Sequence, residues 1–341
     1  MANLKNKPLL SIIIPCRNEE KFIAQCIESI SEQTFPKDGL EVLIIDGMSQ
    51  DKTRQIITEY QKRFPFIELI DNPQIYPSFA LNIGIKKAQG DIILRMDVHA
   101  KYKSNYAQKC VKYLREYKAD NVGGILKIMP QNNGLQAKTI ALVSSSFFGA
   151  GDAYYRRGYN KGIKWVNTVF CGCYRKKIFD KIGLFNEKMV RNQDLEFNLR
   201  LKKAGGKILL SPEIIAYYYP KATFIDFFKH NFKDGFWVVY PLKYGIKAFS
   251  WRHILPMSAL MIFLAIASLA IVAPIFRYAL YTLLSLYAVT STIFSACIAA
   301  KGKNLLLLLT LPVTFFIRQF AYALGSLWAL VNLPFKEKQI R

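Results

Sequence analysis

Along the first half of the chain, short apolar runs alternate with amphipathic stretches. Residues 10–14 form a nearly unbroken apolar run closed by Pro15, the pattern of a strand buried on both faces. Phe22, Ile23, Cys26, Ile27 and Ile30 then recur at helical spacing, and residues 35–39 break the helix with Pro36 and Gly39. Strands are predicted over 41–45 and 67–70, separated by a helix marked by Ile56, Ile57, Tyr60 and Phe64. Residues 79–88 read as a helix, 91–96 as a strand, 106–114 as a helix and 122–128 as a strand. This βαβα rhythm predicts an α/β domain with an open, mostly parallel sheet and helices on both faces. Ligands of such sheets sit outside the carboxyl ends of the strands, which singles out residues 15–19, 46–51 and 97–99. Residues 151–167 are polar and aromatic without a period and read as loop. Residues 176–180 and 194–204 read as helices, the second ended by Gly205 and Gly206.

The pattern changes at residue 254. Residues 254–276 and 278–300 each run 23 positions without a charge, enough to cross a bilayer core of about 30 Å. With only Arg277 between them, they read as a hairpin of spans. Residues 304–332 are apolar but contain Pro312 and Arg318, and a charge at the centre of a span costs at least ~2.5 kcal/mol. A third span, a re-entrant pair and an interfacial segment are all open, and the Lys/Arg distribution favours a segment that returns to the inner face. Before the hairpin, Phe224, Phe227, Phe228, Phe232, Phe236 and Trp237 interleave with Lys229, His230 and Lys233. That is the composition of an amphipathic helix lying in the headgroup plane, an ordinary core helix being the alternative. The expected organisation is a catalytic-type domain over 1–220, an interfacial region over 221–253, a membrane region over 254–333 and a basic tail over 334–341.

Composition sharpens this division. The 341 residues hold 47 Lys+Arg against 24 Asp+Glu, a net +23, yet 52% are hydrophobic. Forty of the basic and 23 of the acidic groups precede residue 254, so a basic module precedes an apolar tail. Abundant core-forming residues exclude disorder and small disulfide scaffolds. The basic residues are dispersed and no nucleic-acid module is recognisable, so no nucleic-acid partner is expected. Six cysteines without CxxC pairs read as reduced thiols of a cytoplasmic module. Residues 1–8 are polar and the run after them is too short for a signal peptide, so that module is expected to stay on the side where it was made.

Candidate chemistry lies at the predicted strand ends. Asp97 and His99, two apart after a buried strand, can bind a divalent cation that neutralises a diphosphate, although such a pair is also common in surface turns. Asp46 can accept from a uracil ring N–H or a ribose hydroxyl, or simply start a turn. Asp194 and Glu196 can be a helix cap and a first-turn acid, or one of them a general base.

Taken together, the run from Leu10 through Pro15, Arg17 and Glu19 to Glu20, the strand-ending Asp46, the segment 80–85 with Gly90 and Asp91, Asp97 with His99, and Gln193 with Asp194 resemble family 2 glycosyltransferases in order and spacing. Residues 97–100, 121–124, 168–175 and 206–212 resemble the succinoglycan-biosynthesis type within it. The resemblance covers about residues 9–240. It implies a GT-A fold, a Rossmann-like open mixed sheet, and inverting transfer from a nucleotide-sugar, with UDP as the nucleotide. By position it implies that Pro15, Arg17, Glu19 and Asp46 line the base and ribose. Asn82 and Arg95 would stand near the diphosphate, Asp97 and His99 would hold Mn²⁺ or Mg²⁺, and Asp194 would be the catalytic base. Gln193 and Trp237 are candidates for the acceptor side. Three departures from the family stand out: His99 replaces a second Asp, Gln193 replaces Glu, and Phe236 precedes Trp237 where Arg is usual. The implied acceptor is a lipid-linked saccharide at the inner (plasma) membrane, with the catalytic domain cytoplasmic. A polyprenyl-phosphate sugar synthase and an inactive membrane scaffold are the competing readings.

Overall fold

The computed structural model describes residues 9–334 apart from Asp152, Ala248 and Ser250, and the side chains of Trp251 and Arg252 are also outside the description. The polar segment 1–8 and, from residue 335, the expected basic tail lie outside the described residues. The described strands are β1 (Leu10–Cys16), β2 (Leu40–Asp46), β3 (Ile67–Asp71), β4 (Ile92–Arg95), β5 (Ala100–Tyr102), β6 (Asn121–Ile128), β7 (Lys164–Trp165), β8 (Phe170–Arg175) and β9 (Ile208–Tyr218). Helices α1 (Ile23–Ser31), α2 (Thr53–Arg63), α3 (Pro77–Lys87) and α4 (Tyr106–Glu116) fill the early connections. There follow α5 (Leu135–Ser145), α6 (Phe147–Ala150), α7 (Lys177–Ile182) and α8 (Gln193–Lys203). The last helices are α9 (Phe224–Val239), α10 (Trp251–Val272), α11 (Ile275–Gly302) and α12 (Leu307–Asn332).

The chain divides into two compact units. The first gathers residues up to Lys127 with Tyr154–Tyr218, and the second gathers Ile128–Ala153 with residues from Tyr219 onward. In the first unit the strands form one sheet of order β3-β2-β1-β4-β8-β6-β9-β5, with β7 beside β9. Pairing is parallel among β1, β2, β3 and β4 and antiparallel for β4–β8, β6–β8, β5–β9 and β7–β9. The sheet is therefore mixed, and the mostly parallel sheet expected from the early rhythm holds only for its amino-terminal half. Leu10, Ile12, Ile13 and Ile14 of β1 are fully buried. Each such side chain contributes roughly 1.5–3 kcal/mol of burial free energy. Helix α3 approaches β1 closely at Gly84, where an added Cβ would lie 2.5 Å from Ile13 Cγ2.

The second unit begins with a helix that sequence patterning does not reveal. The α5 segment reads Leu-Gln-Ala-Lys-Thr-Ile-Ala-Leu-Val-Ser-Ser, mixing small, apolar and hydroxyl residues without a clean period. Its Thr139 Oγ1 lies 3.0 Å from Thr310 Oγ1 of α12. Helix α9 starts on a side-chain cap: Asp226 N donates to Thr223 Oγ1 at 3.1 Å, and Thr223 Oγ1 donates to Asp226 Oδ2 at 2.8 Å. It then packs on α12 with its backbone almost touching. A Cβ on Gly235 would lie 2.0 Å from Tyr322 O, and a Cβ on Gly325 would lie 2.0 Å from Phe232 O.

Three helices, His253–Val272, α11 and α12, are long and apolar enough to cross a membrane. The break between the first two falls at Ala273 and Pro274, not at Arg277, because Pro274 caps α11 and Arg277 sits in its first turn. Arg277 Nε donates to Ala270 O at 3.1 Å, so it caps α10 rather than forming the turn. Helix α12 runs through Pro312 without interruption. Its Arg318 donates from Nε to Gly149 O at 2.5 Å, and Gln319 donates from Nε2 to Phe148 O at 2.9 Å.

Gly235→Val should destabilise the second unit by about 1–3 kcal/mol, because backbone atoms cannot yield to the new side chain. Gly302→Ala, whose Cβ would meet only Leu307 Cδ1 at an ordinary 3.5 Å, should be nearly neutral. Thermal unfolding of the detergent-purified full chain checks both.

Candidate active site

Parallel pairing sets the carboxyl ends of β1, β2 and β4 side by side, with Cys16 opposite Asp46 and Ile13 opposite Arg95. The loops leaving β1, β2 and β3 each hold a non-glycine residue in the left-handed region: Asn18 (φ 53), Met48 (φ 58) and Ile75 (φ 63). For a β-branched residue such as Ile75 this is a steric outlier, a kind of strain that persists where surroundings impose it and that clusters at functional loops. The first two loops are stitched together. Asn18 N donates to Ser49 Oγ (2.8 Å), Gln50 N to Asn18 Oδ1 (2.8 Å) and Glu19 N to Thr53 Oγ1 (2.7 Å).

Arg95, at the end of β4, joins the two acids on which the chemistry would turn. Its side chain is 10% exposed; Nε and Nη2 contact Asp97 Oδ1 at 3.0 and 2.9 Å, and Nη1 contacts Asp194 Oδ1 at 2.5 Å. Asp194 lies in the first turn of α8, with a quarter of its side chain still open to solvent. Burial raises the Asp194 carboxyl above the usual aspartate range; Asp97 pushes the same way, and Arg95 opposes both without cancelling them. Burial works against the Arg95 charge, but Asp194 and Asp97 outweigh it and hold the guanidinium well above its ordinary value. Beside this group, His99 Nε2 lies 3.0 Å from Glu19 Oε1, and Phe22 meets the imidazole edge-on at 5.0 Å.

The donor set at the strand end suits a shared cation. Both Arg95 contacts fall on Oδ1 of Asp97, which leaves Oδ2 outside that ion pair. His99 supplies a borderline nitrogen two residues on. Among the described residues no three His, Cys, Asp or Glu side chains converge on one point. Mg²⁺ and Mn²⁺ are commonly held by one or two protein groups with phosphate oxygens completing the shell, and these residues fit that mode rather than a preformed cage.

Other sequence-predicted residues take different places. Pro15 lies within β1, and Arg17 is exposed on the loop after it, its stem beside Gly47. Asp46 is fully buried, and its carboxylate takes bonds from Ser49 N (3.0 Å), Ser49 Oγ (2.5 Å) and Arg54 Nη1 (2.7 Å). These bonds shape the loop that leaves β2. Asn82 is buried as well: Nδ2 donates to Phe185 O (2.9 Å) and Glu187 Oε1 (3.0 Å), while Oδ1 accepts from Phe185 N (3.0 Å). It anchors the segment after α7. Arg95, also expected on the diphosphate side, contacts the carboxylates of Asp97 and Asp194. Glu196 pairs with Arg200 at 2.5 Å, which leaves Asp194 as the acid of α8 that faces the site. Gln193 is buried beside it, and Trp237 belongs to the second unit, ringed by Phe236 and Tyr240. A cleft of about 560 Å³ over Asn82 and residues 184–188 is lined by none of the strand-end acids.

Residues that the sequence reading passed over are Asn18, Ser49, Thr53 and Arg54. Arg54 bridges Asp46 and Asp71, the ends of β2 and β3, at 2.7 and 2.8 Å. A signal was present: Ser49, Asp51 and Thr53 just ahead of a helix are residues that bond nearby backbone, and Thr53 N does donate to Asp51 Oδ1 at 3.0 Å. Cys16 and Cys26 border the site, and burial raises both thiols, that of Cys26 to about 12, with nearby acids adding to the effect. They stay protonated and are poor nucleophiles.

The family model described as "Glycosyl transferase family 2" matches residues 11–183. The dolichyl N-acetyl-alpha-D-glucosaminyl phosphate 3-beta-D-2,3-diacetamido-2,3-dideoxy-beta-D-glucuronosyltransferase of Methanococcus voltae is 33% identical over 234 residues, which are 66% of this chain and 71% of that protein. The succinoglycan biosynthesis protein ExoA of Rhizobium meliloti (strain 1021) is 29% identical over 226 residues, 66% of this chain and 67% of that one. Among solved structures, the mannosyltransferase PcManGT from Pyrobaculum calidifontis, in complex with GDP-Man and Mn²⁺, aligns with a TM-score of 0.58. That alignment covers 94% of this chain and 88% of the other at 17% identity, a likeness of fold.

With Asp194 as the proton acceptor, kcat/KM should fall toward acid through an apparent pKa above the ordinary aspartate value of about 3.9, since only the ionised carboxylate accepts a proton. Arg95→Met removes the opposing cation, so the acid limb should move to still higher pH. Stability should drop by about 3 kcal/mol as two carboxylates lose their counter-charge. pH–rate profiles and denaturant titrations of both proteins check this; an acid limb that moves down in the variant contradicts it.

Proposed function

The chain belongs to glycosyl transferase family 2, and we propose that it moves a sugar from a UDP-sugar to a hydroxyl of a polyprenyl-diphosphate-linked saccharide, inverting the anomeric carbon. The observation that carries this reading is the joint grip of Arg95 on Asp97 and Asp194, which couples a donor-side acid to an acceptor-side acid across one guanidinium. Asp194, its carboxyl raised by burial and held beside the Arg95 guanidinium, takes the proton of the acceptor hydroxyl as its oxygen attacks the anomeric carbon. The bond from that carbon to the diphosphate oxygen breaks, and the nucleoside diphosphate leaves with the electron pair. A single base and a single displacement give inversion without a covalent enzyme intermediate. Exposed Arg17 and the stitched loops after β1 and β2 form the rim for the nucleotide, with Ser49 and Arg54 held in place by Asp46. Asp97 and His99 would hold Mn²⁺ or Mg²⁺, which when bound neutralises the charge of the diphosphate leaving group.

The name of the Methanococcus voltae relative specifies a dolichyl-phosphate-linked sugar as acceptor, which supports a lipid-linked acceptor here. Three helices long and apolar enough to cross a membrane support catalysis at a membrane surface, with the basic first unit on the cytoplasmic side of the inner membrane. Basic residues near such a surface contribute about 1 kcal/mol each toward anionic lipid.

The purified full chain, supplied with UDP- or GDP-sugars, membrane lipid extract and Mn²⁺, should release nucleoside diphosphate and yield a saccharide on a diphosphate lipid. A monosaccharide on a monophosphate lipid would identify a polyprenyl-phosphate sugar synthase instead, and no release would identify a scaffold. Asp194→Asn should lower turnover by about 10²–10⁴-fold with UDP affinity retained. Wild-type turnover in that variant would remove the base assignment.

A further inference from the structure

Length and composition allow α12 to cross a bilayer, yet its packing places both of its ends at one end of the α10–α11 hairpin. Helices α10 and α11 are joined by the tight Ala273–Pro274 turn, so as two spans they open on the same side of the bilayer at the start of α10 and the end of α11. At its amino end, α12 contributes Leu307, Leu311 and Phe315 to a cluster with Phe294, Ile298 and Ala299, from the last turns of α11. The first half of α12 turns back along α11, Phe316 meeting Tyr287 edge-on at 6.4 Å, and a spanning α12 would continue so as to finish near Val272, at the far end of α10. Instead Ala329 and Leu330, in its last turn, cluster with Ile254 and Met257. At 1.5 Å per residue, Met257 is only about 9 Å into α10, whereas Val272 is about 32 Å in.

Helix α9 makes the same point through charge. It runs alongside the carboxyl half of α12: Phe227 lies beneath the Arg318 guanidinium at 5.9 Å, Phe232 meets Gly325, and Gly235 meets Tyr322. A crossing α12 would draw Asp226, Lys229, His230, Lys233 and Asp234 of α9 into the hydrocarbon. On insertion scales an Asp or Lys at the centre costs about 2.5–3.5 kcal/mol. Opposite Arg318, meanwhile, Leu309, Val313, Phe316, Leu324, Trp328 and Val331 form one exposed apolar stripe along the whole helix.

We infer that α12 does not cross the bilayer but lies along it, its apolar stripe sunk among the acyl chains of the leaflet that α10 enters and α11 leaves. The partner of this surface is the lipid leaflet itself. The chain then has two spans, and it emerges from α12 on the side on which it left α11.

The test uses the full chain in sealed vesicles of both orientations, with Cys297→Ala as background and single reporters Tyr278→Cys, Lys301→Cys and Pro334→Cys. A membrane-impermeant maleimide should label Pro334→Cys in the same vesicles as Lys301→Cys, and Tyr278→Cys only in the opposite ones. Labelling of Pro334→Cys together with Tyr278→Cys overturns the inference. Asn332→Cys gives a second reading at the same end of α12 should Pro334→Cys fail to accumulate. The outcome is independent of donor and acceptor, because an inactive protein would label in the same pattern.

Discussion

A single guanidinium held between two carboxylates is the constraint around which the first unit is arranged. Arg95 ends β4, Asp97 follows it, and Asp194 arrives from α8 about a hundred residues later. Three partly buried charges of this kind are tolerable only as a set, because each pays a desolvation cost that its neighbours must offset. The set fixes where α8 begins relative to β4. It also sets the Arg95 cation against the burial that favours the protonated form of Asp194. Elsewhere the acids are tied down in the same way: Asp46 by Arg54 and Ser49, Glu196 by Arg200. Asp97 and Asp194, joined by Arg95, each keep about a quarter of the side chain open to solvent.

The second unit solves a different problem, that of packing helices with little polar surface. Gly235 and Gly325 let two backbones touch, so α9 and α12 gain contact without interdigitating long side chains. Arg318, which looks anomalous in an apolar segment, caps the carbonyl of Gly149 at the end of the short helix α6, while Gln319 takes Phe148 O. In surroundings poor in water, both sides of each bond would otherwise go unsatisfied.

Much of this was legible in the sequence, and what was not has identifiable causes. Runs such as residues 10–14 announce buried strands because both faces are covered, and the fully buried side chains of β1 match that pattern. The change to antiparallel pairing after β4 was hidden, since an apolar run carries no direction. Positions of acids were readable from the family's spacing, but their partners were not. Arg54 and Asp46 are eight residues apart across a turn and a helix start, and Arg95 and Asp194 are ninety-nine apart. For Asn82 and Arg95 only the fold reveals the internal partners, Phe185 and Glu187 for the first and Asp97 and Asp194 for the second. Helix α5 was invisible because its small and hydroxyl residues suit close helix packing and leave no amphipathic period.

The insertion that carries α5 and α6 has a practical side. Because Ile128–Ala153 belongs with the C-terminal helices, no single cut divides this chain into its two units. Ending it at residue 220 would discard α9 to α12 but keep α5, and Ala137, Ile140, Ala141 and Val143 would lose the apolar cover they have in the second unit. Such a fragment would carry an orphaned greasy helix and would be prone to aggregate. A water-soluble catalytic fragment calls for two excisions, one after Tyr218 and one replacing the stretch from Ile128 to Ala153 with a short polar linker.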